Sequence, residues 1–167
     1  MTTIPAGAAD PASAGAAGVD FHEIVDALYR FGAGQDLADR DLFESAFAPD
    51  ATVDFRGPAQ RFGIDLQPFQ GRAAITEIIL GTVAELSTTH TITNPRVNRD
   101  GDRASLFALV EAQHLPSQDH TRHLLLKNIY TVELARSGAQ WVITHMKIDN
   151  VWFAGDPTVL FPAGAAA

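Results

Sequence analysis

The chain has no cysteine. That excludes disulfides, thiolate nucleophiles and cysteine-bound zinc or iron–sulfur centres, and it suits a reducing cytoplasm, the location we expect. Basic residues are also scarce: 12 Lys and Arg stand against 20 Asp and Glu, a formal net charge of −8. A chain so short of cations has no patch with which to neutralise nucleic-acid phosphates or to sit on an anionic bilayer, so neither is expected as a partner. No apolar run approaches the roughly 18–20 residues that cross a membrane. Residues 1–18 are rich in Ala, Gly and Pro but lack a basic start and a continuous apolar stretch. They read as a flexible tail rather than a signal peptide, as do residues 161–167. No glycine-rich phosphate loop follows a strand, and no Gly-x-Ser-x-Gly elbow is present. What remains is ample apolar material, 46% of 167 residues, for one domain over residues 19–160.

Hydrophobic periodicity divides that domain in two. Phe21, Ile24, Val25, Leu28, Tyr29 and Phe31 recur at helical spacing. Asp20 is the expected N-cap, with Glu23 completing a capping box. Gly32 and Gly34 weaken the helix end, which puts Asp36 at its last turn. Asp39 or Asp41 can cap a second helix over DLFESAFA, stopped by Pro49 and Asp50. ATVDF is a short strand, RGPAQRFGIDLQPFQG a loop, and GRAAITEIILGTVAELS a third helix. The period then changes from 3.6 to 2. THTITNPRVN, RASLFALVEAQH, TRHLLLKNIYTVELAR and AQWVITHMKIDNVW read as strands, with turns at RDGD and ARSG. Helices first and an antiparallel meander afterwards make the class α+β. The long strands carry apolar residues on both faces: Leu106, Ala108 and Val110 on one, Phe107 and Leu109 on the other. The second face therefore needs a cover, and a homodimer or higher homo-oligomer is the expectation.

Two residues stand out chemically. Asp36 lies where the first helix ends, and His90 where the third helix gives way to a strand. If the fold joins them, the carboxylate orients the imidazole, which can then move a proton near neutral pH. The plainer readings are a helix-end turn for Asp36 and a polar strand start for His90, although Asp39, Asp41 and Asp50 are better placed as caps. His114, His120 and His123 surround a polar loop with Asp119, but their spacing matches no metal-ligand motif, and no metal is expected. Lys127 either serves the chemistry or snorkels from an edge.

The stretch YRFGAGQDLADRDLFESAFAPDATVDF, followed by QGRAAI, STTHTITNPRVNRDGDRASL, a strand ending near GAQW, and VWFAG, resembles SnoaL-like proteins of the nuclear transport factor 2 superfamily. The resemblance spans about residues 20–155 and is strongest to the subgroup with an Asp–His dyad, which includes scytalone dehydratase, bile acid dehydratase and a dehydrochlorinase. It implies a cone-like fold with about three N-terminal helices packed in a curved, mostly antiparallel sheet around a pocket. It also implies His90 as general base and Asp36 as its orienter, in a cofactor-independent lyase or isomerase acting on a small hydrophobic or alicyclic substrate. Dehydration, dehydrohalogenation, double-bond migration and polyketide ring closure are all within its scope. A non-catalytic binding module or structural subunit on the same fold is the alternative. Phe31 and Phe55 stand where the dehydratases carry tyrosines. The acid or polariser is therefore sought among Lys127, Tyr130 and Tyr29, while Phe31, Phe55, Asn94 and Trp152 are expected to touch the substrate.

Overall fold

The computed structural model describes residues 11–161. Helix α1 runs Pro11–Asp36, starting well before the expected cap at Asp20. Proline suits the first helical position and alanine is the strongest helix former, so residues 11–18 belong to the helix and not to a tail. Residues 1–10 and 162–167, the remainder of the two expected tails, lie outside the described residues. Asp20, now inside the helix, is bound by two arginines instead. It accepts from Arg136 Nη2 at 2.8 Å and also from Arg99 Nη1, which fastens α1 to the far sheet.

Ile24, Val25, Leu28 and Phe31 form the buried face of α1. Arg30 is buried with them and donates to the carbonyl oxygens of Trp141 at 2.7 Å and of Ser45. Gly34 lets α2, Arg40–Ser45, lie directly against α1: a Cβ there would stand 2.6 Å from the Phe43 backbone nitrogen and Cα. The cap of α2 is Asp39, whose side chain accepts from the Leu42 N–H at 3.0 Å.

Strand β1, Phe47–Asp54, begins before Pro49 and Asp50 rather than after them. Its pairing register shifts between Phe47 and Thr52, and a bulge of this kind tolerates a residue with no N–H to donate. The segment expected as loop folds into α3, Arg56–Arg61, and a short strand β2, Phe69–Gln70. Then come α4, Arg72–Val83, and four long strands: β3 Leu86–Asp100, β4 Arg103–Pro116, β5 Leu124–Ser137 and β6 Gln140–Gly155. A 3₁₀ turn at Pro157–Val159 follows. The described residues thus hold four α-helices where about three were expected.

The strands form one mixed sheet in the order β2-β1-β6-β5-β4-β3. Only β1 and β6 run parallel; the other neighbours are antiparallel. The sheet is curved and unclosed, with the N-terminal helices packed on its concave side, the α+β class that the pattern predicted and the cone that the resemblance implied. Strand alternation decides what faces inward. Leu106, Ala108, Val110, Ala112 and His114 of β4 are buried, as are Leu126, Asn128, Tyr130 and Val132 of β5. Leu109 and Trp152 remain exposed on the convex side. No helix among the described residues is long and apolar enough to cross a membrane.

Replacing Gly34 with alanine should lower unfolding free energy by roughly 1–3 kcal/mol, the usual cost of overpacking, because backbone rather than a flexible side chain blocks the new methyl. Urea denaturation measures this. A gain in stability, which helix propensity alone would give, would show that α1 and α2 can separate.

Candidate active site

The last turn of α1 and the start of β3 meet because glycine allows it. A Cβ on Gly32 would sit 3.1 Å from the His90 Cβ, tighter than side chains normally pack. At this contact Asp36 accepts three hydrogen bonds. Oδ1 takes His90 Nδ1 at 2.7 Å and Thr88 Oγ1 at 2.8 Å, and Oδ2 takes the His90 backbone N–H at 2.8 Å. A carboxylate only accepts, so Nδ1 of His90 carries a proton, and in the neutral ring Nε2 is the nitrogen that holds the lone pair. The His90 side chain is 3% exposed. Burial alone would raise the Asp36 carboxyl; the hydrogen bond and charge of His90, with Thr88 and the backbone N–H, outweigh it and hold the group below its usual range.

His90 opens onto a cavity of about 520 Å³ between the helices and the concave sheet. Phe31, Phe55, Phe69, Ile79, Leu126, Ile148 and Leu160 make most of its lining apolar. The polar lining residues are His90, His114, Asn128 and Tyr130 from the sheet, Gln35 and Thr82 from helices, and Asp65 from the segment after α3. No Lys or Arg lines it among the described residues. Size and character suit a small organic ligand. Val159, Leu160 and Phe161, from the chain after β6, form part of the cavity's rim, with the Phe161 and Phe62 ring centroids 5.2 Å apart and Phe62 edge-on to Phe153 at 4.8 Å. Phe161 is thus part of the cavity and not of a tail. The chain after β6 turns back because Asp156 caps the 3₁₀ turn through the Thr158 N–H at 2.9 Å.

His114 stands across from His90, ring centroids 6.0 Å apart and planes 85° to one another. Burial, aided by the charge of His90, lowers its pKa from 6.5 to about 4, so it is neutral at pH 7. Its Nδ1 is buried without a partner. Burial pushes the Tyr130 phenol up, against the opposing influence of the Asn128 amide, so it keeps its proton.

Of the residues singled out from the sequence, Phe31, Phe55, His90 and Tyr130 line the cavity, with Asp36 directly behind His90. Four others do not, and each has a physical reason. Lys127 shares β5 with Leu126 and Asn128 but has the opposite parity. Its ammonium pairs with Glu111 on the convex face and lies 5.6 Å over the Trp152 ring. Trp152, paired with Lys127 across β5 and β6, is 47% exposed there. Asn94 has φ +53° and sits in the register break between Thr93 and Arg96, which cancels its parity with His90. Tyr29, on the outer side of α1, is 47% exposed. Sequence reasoning passed over His114, Asn128 and Gln35. His114, at the end of the expected strand, was weighed only as a metal ligand beside His120 and His123, yet it continues the inward alternation of Val110 and Ala112, and that parity was the available signal.

The SnoaL-like domain family matches residues 19–147. The terrestric acid biosynthesis cluster protein E of Penicillium crustosum is 30% identical over 144 residues, covering 82% of this chain and 86% of that protein. The crystal structure of a proposed aromatic ring hydroxylase from Novosphingobium aromaticivorans superposes with a TM-score of 0.71 at 26% identity, over 82% of this chain and 93% of that one. A proposed scytalone dehydratase from the same species gives 0.72 at 16% identity, over 92% and 99%; at that identity the likeness is one of fold.

The depressed pKa of His114 makes stability depend on pH. The unfolded chain binds this proton near pH 6.5 and the folded chain only near 4, so stability is full above 6.5 and falls between the two values. The loss should reach about 3 kcal/mol. Urea titrations from pH 7 to 4 should show it, and His114→Gln should flatten the slope. An unchanged slope in that variant would assign the acid sensitivity elsewhere.

Proposed function

The chain belongs to the SnoaL-like family, and from that footing we propose that it is a cofactor-independent lyase or isomerase of the Asp–His dyad type. The observation that carries the reading is the 2.7 Å bond from His90 Nδ1 to Asp36, which leaves Nε2 as the nitrogen free to act in an apolar cavity. His90 takes a proton from a C–H bond of the substrate. Asp36 fixes the tautomer and stabilises the imidazolium that forms, a charge that burial would otherwise penalise. The substrate is small and hydrophobic, since the lining is mostly apolar and holds no cation to pair with a carboxylate or phosphate. Neutral His114 and Tyr130, facing the same space, are the groups suited to protonate a departing oxygen or to hold one by hydrogen bonding. A proposed scytalone dehydratase among the proteins of like fold favours elimination without selecting a substrate.

The dominance of apolar lining also favours a second reading, a binding module that holds a hydrophobic molecule without altering it. We further propose that the protein works as a cytoplasmic homodimer joined through the convex face, supported by exposed Leu109 and Trp152.

Proton abstraction is measurable without the natural substrate. A panel of small cyclic ketones and hydroxyketones in D₂O should exchange C–H for C–D under the wild-type protein, followed by NMR. His90→Ala should slow exchange by ~10²–10⁴-fold, the usual contribution of a general base, and Asp36→Asn should also slow it strongly, both with unchanged circular dichroism. Ligand binding with no exchange would select the binding module. Exchange at the wild-type rate in both variants would remove the dyad. Light scattering should give the mass of two chains at micromolar concentration; one chain would refute the dimer.

A further inference from the structure

Asp36 is an acid in an unfavourable place. It closes α1, where the aligned peptide dipoles put partial negative charge, and the last turn of α1 holds no basic residue. No Lys or Arg pairs with it among the described residues. Its charge therefore rests on three hydrogen bonds, all from β3. Two come from His90 itself, through ring and backbone. The third comes from Thr88 and is the one that owes nothing to His90.

Thr88 and His90 are two residues apart on β3, so alternation turns both inward, while Ser87 and Thr89 are exposed. Thr88 is buried, and across the ladder it pairs with His114. Its hydroxyl donates at 2.8 Å to Oδ1, the same oxygen that accepts the His90 ring at 2.7 Å. Neither Thr88 nor Asp36 lines the cavity. The torsion that turns a carboxylate is a soft one. Bonded to the ring alone, the carboxylate can turn as the ring turns. With Thr88 on Oδ1 and the His90 N–H on Oδ2, the same turn breaks two bonds made to a fixed strand.

We propose that Thr88 is a positioning residue for the base: its hydroxyl pins the Asp36 carboxylate, so that His90 keeps one ring orientation through proton transfer. The proposal rests on the reading of His90 as base and adds what keeps that base aimed. When Nε2 takes the proton, the C–H electron pair stays with the substrate and the ring becomes positive. The charged ring is drawn toward Oδ1. Because Thr88 holds that oxygen from the strand side, the ring ends the step where it began and can return the proton from the same nitrogen. The hydroxyl makes no bond to the substrate. Valine has nearly the shape of threonine, so the oxygen is what sets Thr88 apart.

The test crosses shape against hydroxyl, using the cyclic ketone that exchanges fastest with the wild-type protein in D₂O. Thr88→Val keeps the shape and should lower kcat for exchange at least ~10-fold, the worth of a hydrogen bond to a charged group, with KM unchanged because the hydroxyl lies behind the base. Thr88→Ser loses the methyl, keeps the hydroxyl and should restore most of the rate. A packing role would give the reverse order. The second readout is the His90 Nδ1 proton in NMR, identified by its loss in His90→Ala. It should be sharp in wild type and Thr88→Ser and broadened by solvent exchange in Thr88→Val. Should the valine variant fail to fold, Thr88→Ala is compared with Thr88→Ser, from which it differs by one oxygen. A wild-type kcat or a sharp Nδ1 signal in Thr88→Val, or equal losses in valine and serine variants, would overturn the proposal and leave the dyad standing. Exchange at the wild-type rate in His90→Ala would overturn the base reading and the proposal with it. If no ketone exchanges, the proton signal alone decides.

Discussion

The Asp36 carboxylate is the joint on which the site is built. It ends α1, and its two oxygens receive the His90 ring, the His90 backbone and the Thr88 hydroxyl. A single side chain thus sets where the first helix meets the sheet and which His90 nitrogen carries the proton. A hydrogen bond to a charged group is worth more than a neutral one, and these lie at half-buried depth, where water competes poorly. Elsewhere Asp20 binds α1 to Arg99 and Arg136, and Arg30 reaches the Trp141 carbonyl. The helix is therefore secured at several points along its length, and the Asp36 joint has little freedom to slide.

The remainder of the site follows from the sheet. Inward alternation along β4 and β5 places His114, Asn128 and Tyr130 on the concave wall of the cavity, while the helices and the segments outside the sheet contribute mostly apolar side chains, with Gln35, Asp65 and Thr82 as their polar members. Two of its polar atoms, His114 Nδ1 and Asn128 Nδ2, are buried without partners. Buried unpaired groups are costly, so a site that keeps them is arranged for a molecule that supplies what they lack.

Much of this was legible in the residues. The change of period from 3.6 to 2 marked the helix–sheet division, and Asp36 and His90 stood at element ends where a dyad belongs. What escaped was set by tertiary geometry. Lys127 looked well placed because Leu and Ile flank it, but neighbours along a strand face opposite ways. Asn94 was counted on a parity that the bulge beside Arg96 interrupts. His114 closes the expected strand, but beside His120 and His123 it was judged as a metal ligand and not by its inward parity. The start of α1 was missed because an Ala-, Gly- and Pro-rich segment has the composition of a linker and the alanine content of a helix.

The rim differs from the dyad in how it is held. Ile64, Leu66, Leu160 and Phe161 lie in segments outside the sheet ladder, the last two held by a capped turn and by the contact of Phe161 with Phe62. Substitution there need not disturb any strand pairing, whereas change near Gly32 or Asp36 displaces the base itself. Evolution on this scaffold accordingly has two rates available: a slow one for the reaction, written into the helix–strand joint, and a fast one for the choice of molecule, written into the rim. New substrates can be explored by exchanging a few rim side chains while proton transfer is inherited intact.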